Sequence, residues 1–224
     1  YKASTIQRIL ASITYKYRMN GFQFDRKHPD ISETLDSIER NQKNIRSGEA
    51  KELLKEDIKQ ILANGADKVL ITTAALYDKN LIQRSVKKFG SQAIITGIDY
   101  KFDQEQKKSF VWTHCGNKKT NLSPLELAKN YQELGVGEIL INNIDRDGLM
   151  KGYDLEISNE ISVNLNIPLI TCGGAGNFQH IVDVFNKTEV SAAACSSIFH
   201  FGDNCPMQAR TYLRNHGIEM RNIK

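Results

Sequence analysis

Three observations predict an α/β protein built on a parallel sheet of the β/α barrel type. From residue 58 onward, short apolar runs alternate with amphipathic stretches of helical period. The apolar runs are continuous rather than alternating, the pattern of strands buried on both faces. Acidic residues and glycines stand directly after successive runs. Asp145-Arg146-Asp147-Gly148 and Lys151-Gly152-Tyr153-Asp154 follow residues 138–144, and Gly173-Gly174-Ala175-Gly176 follows residues 167–172. Such groups at the carboxyl ends of buried strands are where a β/α barrel keeps its chemistry. A doubly wound open sheet gives a similar string, but the dinucleotide fingerprint GxGxxG follows none of the strands.

Residues 58–64 carry apolar positions at helical spacing and stop at Gly65, a C-cap signal. Residues 68–75 (KVLITTAA) read as a strand, 81–89 as a helix ended by Gly90, and 93–99 (AIITGID) as the next strand. The polar stretch 100–122 contains SFVWT, a candidate β-excursion at 109–113. Ser123 and Pro124 supply an N-cap and a first-turn proline for a helix that runs to Leu134 and Gly135. Strand 138–144, helix 155–165, strand 167–172, helix 177–186, strand 190–198 and helix 206–215 complete the series. Five strands in this rhythm imply right-handed crossovers and a parallel sheet. A weak internal echo between 67–76 and 190–199 sets Thr73 opposite Ser197, about half a barrel apart.

Residues 1–57 depart from this pattern. They are rich in Lys, Arg, Asn, Gln and Glu, too sparsely apolar for buried parallel strands, and suggest amphipathic helices at 6–10 and 31–45 or partial disorder. The expected division is therefore an atypical segment 1–57 and a barrel domain 58–224. At 224 residues the chain is somewhat short of the roughly 250 typical of one barrel. A net charge of +4 is small for this length and gives no sign of a nucleic-acid partner. No apolar run approaches the roughly 20 residues that span a bilayer, and a cytoplasmic location is expected. Cys115, Cys172, Cys195 and Cys205 show no metal-ligand spacing. Reduced thiols, buried where they fall in strands, are expected, with neither metal nor cofactor. His114 and Cys115 are not expected to form a nucleophile pair, because neighbours on an extended segment face opposite ways.

The segments GADKVLITTAA, FGSQAIITGIDYK, GEILINNIDRDGLMKGYD, IPLITCGGAG and SSIFHF resemble the cyclase-subunit family of imidazole glycerol phosphate synthase. The resemblance covers about two thirds of the chain, and IDRDG with KGYD and GGAG is its most specific part. It implies an eight-stranded TIM-type barrel of which residues 58–201 supply strands four to eight. It implies a synthase or lyase of histidine biosynthesis that receives ammonia from a glutaminase partner, then cyclises and cleaves a ribulosyl substrate with a phosphate at each end.

By the same resemblance, Asp99 is the general base, and phosphate is held by Gly173, Gly174, Gly176, Asp147, Gly148, Ser196 and Ser197 on one rim. Glycines let backbone N–H groups approach phosphate oxygens, and helix N-termini add a favourable dipole. Thr72 and Thr73 supply part of the opposite phosphate site. Asp145 and Asp147 orient substrate hydroxyls, or Asp145 supports the neighbouring residues or serves the turn. Lys68 and Glu138 belong to a charged ring around the ammonia entrance, with an ordinary surface ion pair as the alternative. Read from the residues alone, Asp99 is equally an acid that caps its strand by accepting loop N–H bonds.

Two family features are missing from their expected places. No first-strand catalytic aspartate is visible, and Ser47-Gly48-Glu49-Ala50-Lys51 stands where a glycine-rich turn should precede Glu56-Asp57. The stretch Trp112 to Asn121 is closer to paralogues that supply ammonia for sugar amidation in surface-polysaccharide synthesis. Two alternatives to the histidine-pathway enzyme therefore stand: that paralogue, and a non-catalytic phosphate-binding scaffold.

Overall fold

The computed structural model describes residues 50–220, with side chains from residue 57 onward. The expected features within 1–49, including both candidate helices and the Ser47-Gly48 turn, lie outside the described residues. The chain divides between Lys59 and Gln60 into two units, and apart from helix α1, which begins in the first, the architecture below is that of the second.

Helix α1 (Ala50–Ala63) stops where Gly65 turns to positive φ and its N–H returns to the Leu62 carbonyl. Strand β1 (Val69–Ile71) leads into the short helix α2 (Thr73–Tyr77) and then α3 (Lys79–Phe89), whose N-terminus is capped by the Asp78 carboxylate on Leu81 N–H. The long strand β2 (Ile94–Asp103) is followed by β3 (Lys108–Thr113) and β4 (Lys118–Lys119). Helix α4 (Pro124–Glu133), β5 (Glu138–Asn143), α5 (Leu155–Ser162), β6 (Leu169–Cys172) and α6 (Phe178–Lys187) follow. The series ends with β7 (Ala192–Ala194), the short α7 (Ser197–His200) and α8 (Pro206–Asn215).

Five strands run parallel in the order β1-β2-β5-β6-β7, the sequence-predicted set. Among the described residues β1 and β7 each have one strand neighbour, so the sheet remains open there. One face is thoroughly buried under helices: Val69, Ile71, Ile94, Thr96, Ile98, Ile139, Ile141, Leu169 and Thr171 are each less than a tenth exposed. Helix α4 packs on β2 and β5, α5 on β6, and α6 on β7. The opposite face carries Leu70, Ile95, Gly97, Asp99, Leu140, Asn142, Ile170 and Cys172 at the alternate positions of the pleat, and most of these are partly exposed.

Three boundaries differ from expectation, each for a local reason. The strand read over 68–75 ends at Ile71, because Thr73 begins α2 and Ala75 N–H bonds back to the Thr72 carbonyl. The strand read over 190–198 ends likewise at Ala194, with Ser197 opening α7. The echo of Thr73 and Ser197 is thus structural: each is the first residue of a short helix that follows a strand. Strand β2 runs four residues past Asp99, because the excursion expected at 109–113 pairs with it antiparallel from Asp99↔Trp112 to Asp103↔Lys108.

The cysteines also differ from expectation. All four are free, but Cys115 and Cys205 are exposed, and Cys172 and Cys195 are only half-buried near the ends of β6 and β7. His114 and Cys115 are not extended. Both take positive φ in the tip between β3 and β4, where Asn117 Nδ2 donates to the His114 carbonyl at 2.5 Å. Among the described residues no helix is long and apolar enough to cross a membrane.

Candidate active site

Asp99, where the parallel pairing of β2 nears its end, lies level with the carboxyl ends of β5 and β6. Asp99 pairs in register with Asn142 of β5, and Asn142 with Cys172 of β6. Strand alternation therefore sets Asp99, Asn142 and Cys172 side by side on the less covered face. Asn142 Nδ2 donates to Asp99 Oδ1 at 3.2 Å. Gly173 follows Cys172 and presses so closely on β5 that a Cβ there would lie 2.6 Å from the Asn143 carbonyl oxygen and 2.9 Å from Asn142 Oδ1. The carboxylate and the glycine turn occupy one end of the sheet.

Burial pushes the Asp99 carboxyl above the usual aspartate range. The Asn142 amide works against that shift by stabilising the anion, and the Asp147 carboxylate adds to it. Burial likewise raises the Cys172 thiol, to about 11, with the Asp147 charge contributing, so the group is a neutral thiol at physiological pH.

The turn after β5 and the turn after β6 are tied to each other. Gly152 N–H donates to the Gly174 carbonyl at 2.7 Å, and Arg146 Nη1 donates to the Gly152 carbonyl at 3.3 Å. Gly176 N–H donates to His180 Nδ1 at 3.1 Å. Tyr153, buried, donates its hydroxyl to the Ala194 carbonyl at 3.0 Å and so ties the same turn to β7. Asp147 and Gly148 sit exposed at the crest of the first turn, with Asp147 N–H on the Asn143 carbonyl at 2.9 Å. Asp145 Oδ2 accepts from Phe102 N–H at 3.2 Å, which ties the turn after β5 to β2. Ser196 and Ser197 stand at the start of α7, beyond β7. Thr72 and Thr73 stand at the start of α2, beyond β1, where Thr73 Oγ1 accepts from His114 N–H at 3.3 Å.

Lys68 and Glu138 occupy the other end of the sheet. Lys68 immediately precedes β1, Glu138 is the first residue of β5, and Lys68 Nζ donates to Glu138 Oε1. Both side chains retain contact with solvent, so Lys68→Ala is expected to change stability by less than about 1 kcal/mol in a denaturant titration.

Reading the sequence passed over three of the groups that build this site. In the sequence Asn142 and Asn143 read only as strand positions, although two amides closing an apolar run are a usable signal. Asp154 caps α5 on Ile157 N–H at 3.3 Å and also accepts from Asn143 Nδ2 at 2.8 Å and from the Tyr100 hydroxyl at 3.2 Å. Tyr100 and Asn143 are both nearly fully buried. Asp154→Ala removes a cap and leaves two buried donors without an acceptor. The expected cost is about 2 kcal/mol or more by thermal or chemical denaturation.

An acid lodged among the carboxyl ends of parallel strands, beside glycine turns braced on one another, is the site architecture of a β/α barrel protein. Comparison with known proteins narrows that class. Residues 54–204 match the family model described as histidine biosynthesis protein. The imidazole glycerol phosphate synthase subunit HisF of Chlorobium phaeobacteroides (strain BS1) is 48% identical over 158 residues, which is 70% of this chain and 62% of that protein. The HisF subunit of Pelodictyon phaeoclathratiforme is 45% identical over 166 residues, 74% of this chain and 65% of its own length. That of Bacillus pumilus is 40% identical over 166 residues, covering 74% and 66%. The chain belongs to the histidine biosynthesis protein family of β/α barrels. It spans a little under two thirds of the length of these relatives.

Proposed function

We propose that this chain acts as the cyclase-type subunit of an imidazole glycerol phosphate synthase. In this reading it takes ammonia from a glutaminase partner and uses it to cyclise and cleave a bisphosphorylated ribulosyl substrate in the cytoplasm. Residues 58–224 form the barrel domain that carries the site, and residues 1–57 a separate segment. The observation that carries the reading is the placement of Asp99, half-buried and held by Asn142, at the same end of the sheet as the Gly173-Gly174 turn.

Ring closure requires a proton to leave the substrate, and a carboxylate partly withdrawn from water is a stronger base than an exposed one. Asp99 takes that proton, and Asn142 keeps the receiving oxygen oriented. Backbone N–H groups of the Gly173–Gly176 turn, with Asp147, Gly148, Ser196 and Ser197 around them, receive one substrate phosphate. Thr72 and Thr73, across the sheet, receive part of the other. Lys68 and Glu138 guard the far end, where ammonia enters. The test is turnover of the bisphosphorylated substrate by the full chain with free ammonium. Measurable turnover that Asp99→Asn abolishes supports the reading. Wild-type protein that binds phosphate without turnover refutes it in favour of a binding scaffold.

A further inference from the structure

A cavity of about 540 Å³ lies against the turn after β5, the start of α5 and the first half of α6. Its volume is that of a small-molecule pocket. Arg146, Lys151, Asp154, Glu156, His180 and Asp183 line it, whereas Asp99, Asp147, Gly148 and the glycines of the 173–176 turn do not. A lining this rich in charge suits a polar occupant rather than a hydrocarbon one.

The charges on this wall are unevenly spent. Asp154 already accepts from Ile157 N–H, Asn143 Nδ2 and the Tyr100 hydroxyl, and Asp183 accepts from Gln179 and Lys187. Lys151 and Glu156 are both exposed, and neither has a partner among the described residues, including each other. Arg146 makes one bond, Nη1 to the Gly152 carbonyl, and the rest of its guanidinium donors are unspent on the described residues.

His180 adds a further donor. Gly176 N–H donates to its Nδ1 at 3.1 Å, so that nitrogen holds the lone pair and the ring proton sits on Nε2. The Asn177 amide lies 3.3 Å from Nε2, and it too presents a donor, because its oxygen is used in capping α6 on His180 N–H at 2.9 Å. Two donors facing each other call for an acceptor that serves both.

We propose that this cavity binds a free α-amino acid. Its carboxylate meets Arg146, Lys151 and His180 Nε2–H, and its ammonium meets Glu156, the one acid of the wall without a protein partner among the described residues. An oxyanion is what the unspent donors lack, and a planar carboxylate suits a guanidinium. A dianionic phosphate fits less well, because three carboxylates line the same space. The occupant touches Arg146, which braces Gly152, and Gly152 in turn braces Gly174. The site thus bears on the turn proposed to receive phosphate. That bearing rests on the proposed function, while the existence of the site does not.

The full chain is melted with each of the twenty standard L-amino acids in turn, and the dissociation constant of any binder is measured by calorimetry. At about ten times that constant, a binder is expected to raise the melting temperature by about 3 °C or more. Lys151→Ala and Glu156→Gln, which break no bond among the described residues, are each expected to weaken it by about threefold or more. The carboxamide and the N-acetyl derivative of the same amino acid, each lacking one of the two charges, are expected to bind more weakly still. No binder among the twenty overturns the proposal. So does a binder indifferent to both substitutions, or one whose N-acetyl derivative binds as tightly. None of these outcomes touches Asp99, which is judged by turnover alone.

Discussion

Asp99→Asn is expected to lower turnover of a bisphosphorylated ribulosyl substrate, measured with free ammonium, by at least about 100-fold, the scale of a lost general base. The amide keeps the size of the carboxylate and still accepts from Asn142 Nδ2, so the fold is left intact. What disappears is the ability to take a proton. In the wild type the acid limb of kcat/KM should lie above the ordinary aspartate value of 3.8, because burial, and secondarily Asp147, favour the protonated form.

The same shift fixes the sign of the stability effect. A carboxyl whose pKa is higher in the folded state favours folding fully below 3.8 and loses that contribution as pH rises through the folded value. At neutral pH the wild type therefore carries a penalty that the asparagine variant lacks. Asp99→Asn should melt higher than wild type at pH 7, and the gap should close as pH falls below 3.8. Lower activity with higher neutral-pH stability is the signature of a functional acid. Equal turnover would remove Asp99 from the mechanism.

Gly174→Ala is expected to destabilise the chain by about 3 kcal/mol or more, read from denaturant unfolding, and to weaken phosphate binding with it. Two independent penalties meet at this residue. Its φ of +111° lies where side chains are rarely tolerated, and a Cβ would run into the Gly152 carbonyl. That carbonyl cannot retreat without breaking its bond from Arg146, or without moving the Gly152 N–H off the Gly174 carbonyl. The turn after β5 and the turn after β6 should therefore loosen together. Gly148→Ala is a useful contrast: its φ is also positive, but no atom lies within 4 Å of the added methyl, so the cost should be strain alone. If the two variants lose equal stability, the close approach of the two turns is not what Gly174 serves.

Much of the architecture was readable before any coordinates, because burial imposes its own rhythm on the chain. Residues 139–141 and 169–171 are apolar or nearly so because helices cover one face while the other is partly withdrawn from solvent. Helix α4 was announced by Ser123 and Pro124, and the observed cap, Ser123 Oγ accepting from Glu126 N–H at 3.1 Å, follows from local chemistry. The glycines after β6 marked a turn that no other residue type fits. Resemblance makes Lys68 and Glu138 members of a charged ring, with an ordinary ion pair as the alternative, and the register of β1, β2 and β5 brings the two side chains within bonding reach.

What stayed hidden depends on which strand lies beside which, and at what offset. Asn142 holds Asp99 across 43 positions of chain only because β2 and β5 pair in that register, and a slip by one residue would turn the amide to the opposite face. Asp145 reaches back to Phe102, and Asp154 gathers Tyr100, Asn143 and its own helix, for the same reason. The early ends of β1 and β7 were unreadable because TTAA and CSSI are as compatible with a strand as with a first helical turn. Periodicity and turn chemistry are local properties that a chain carries in its order of residues. Contacts between distant polar atoms arise only once strands have chosen partners and brought those atoms within 3 Å or so of one another.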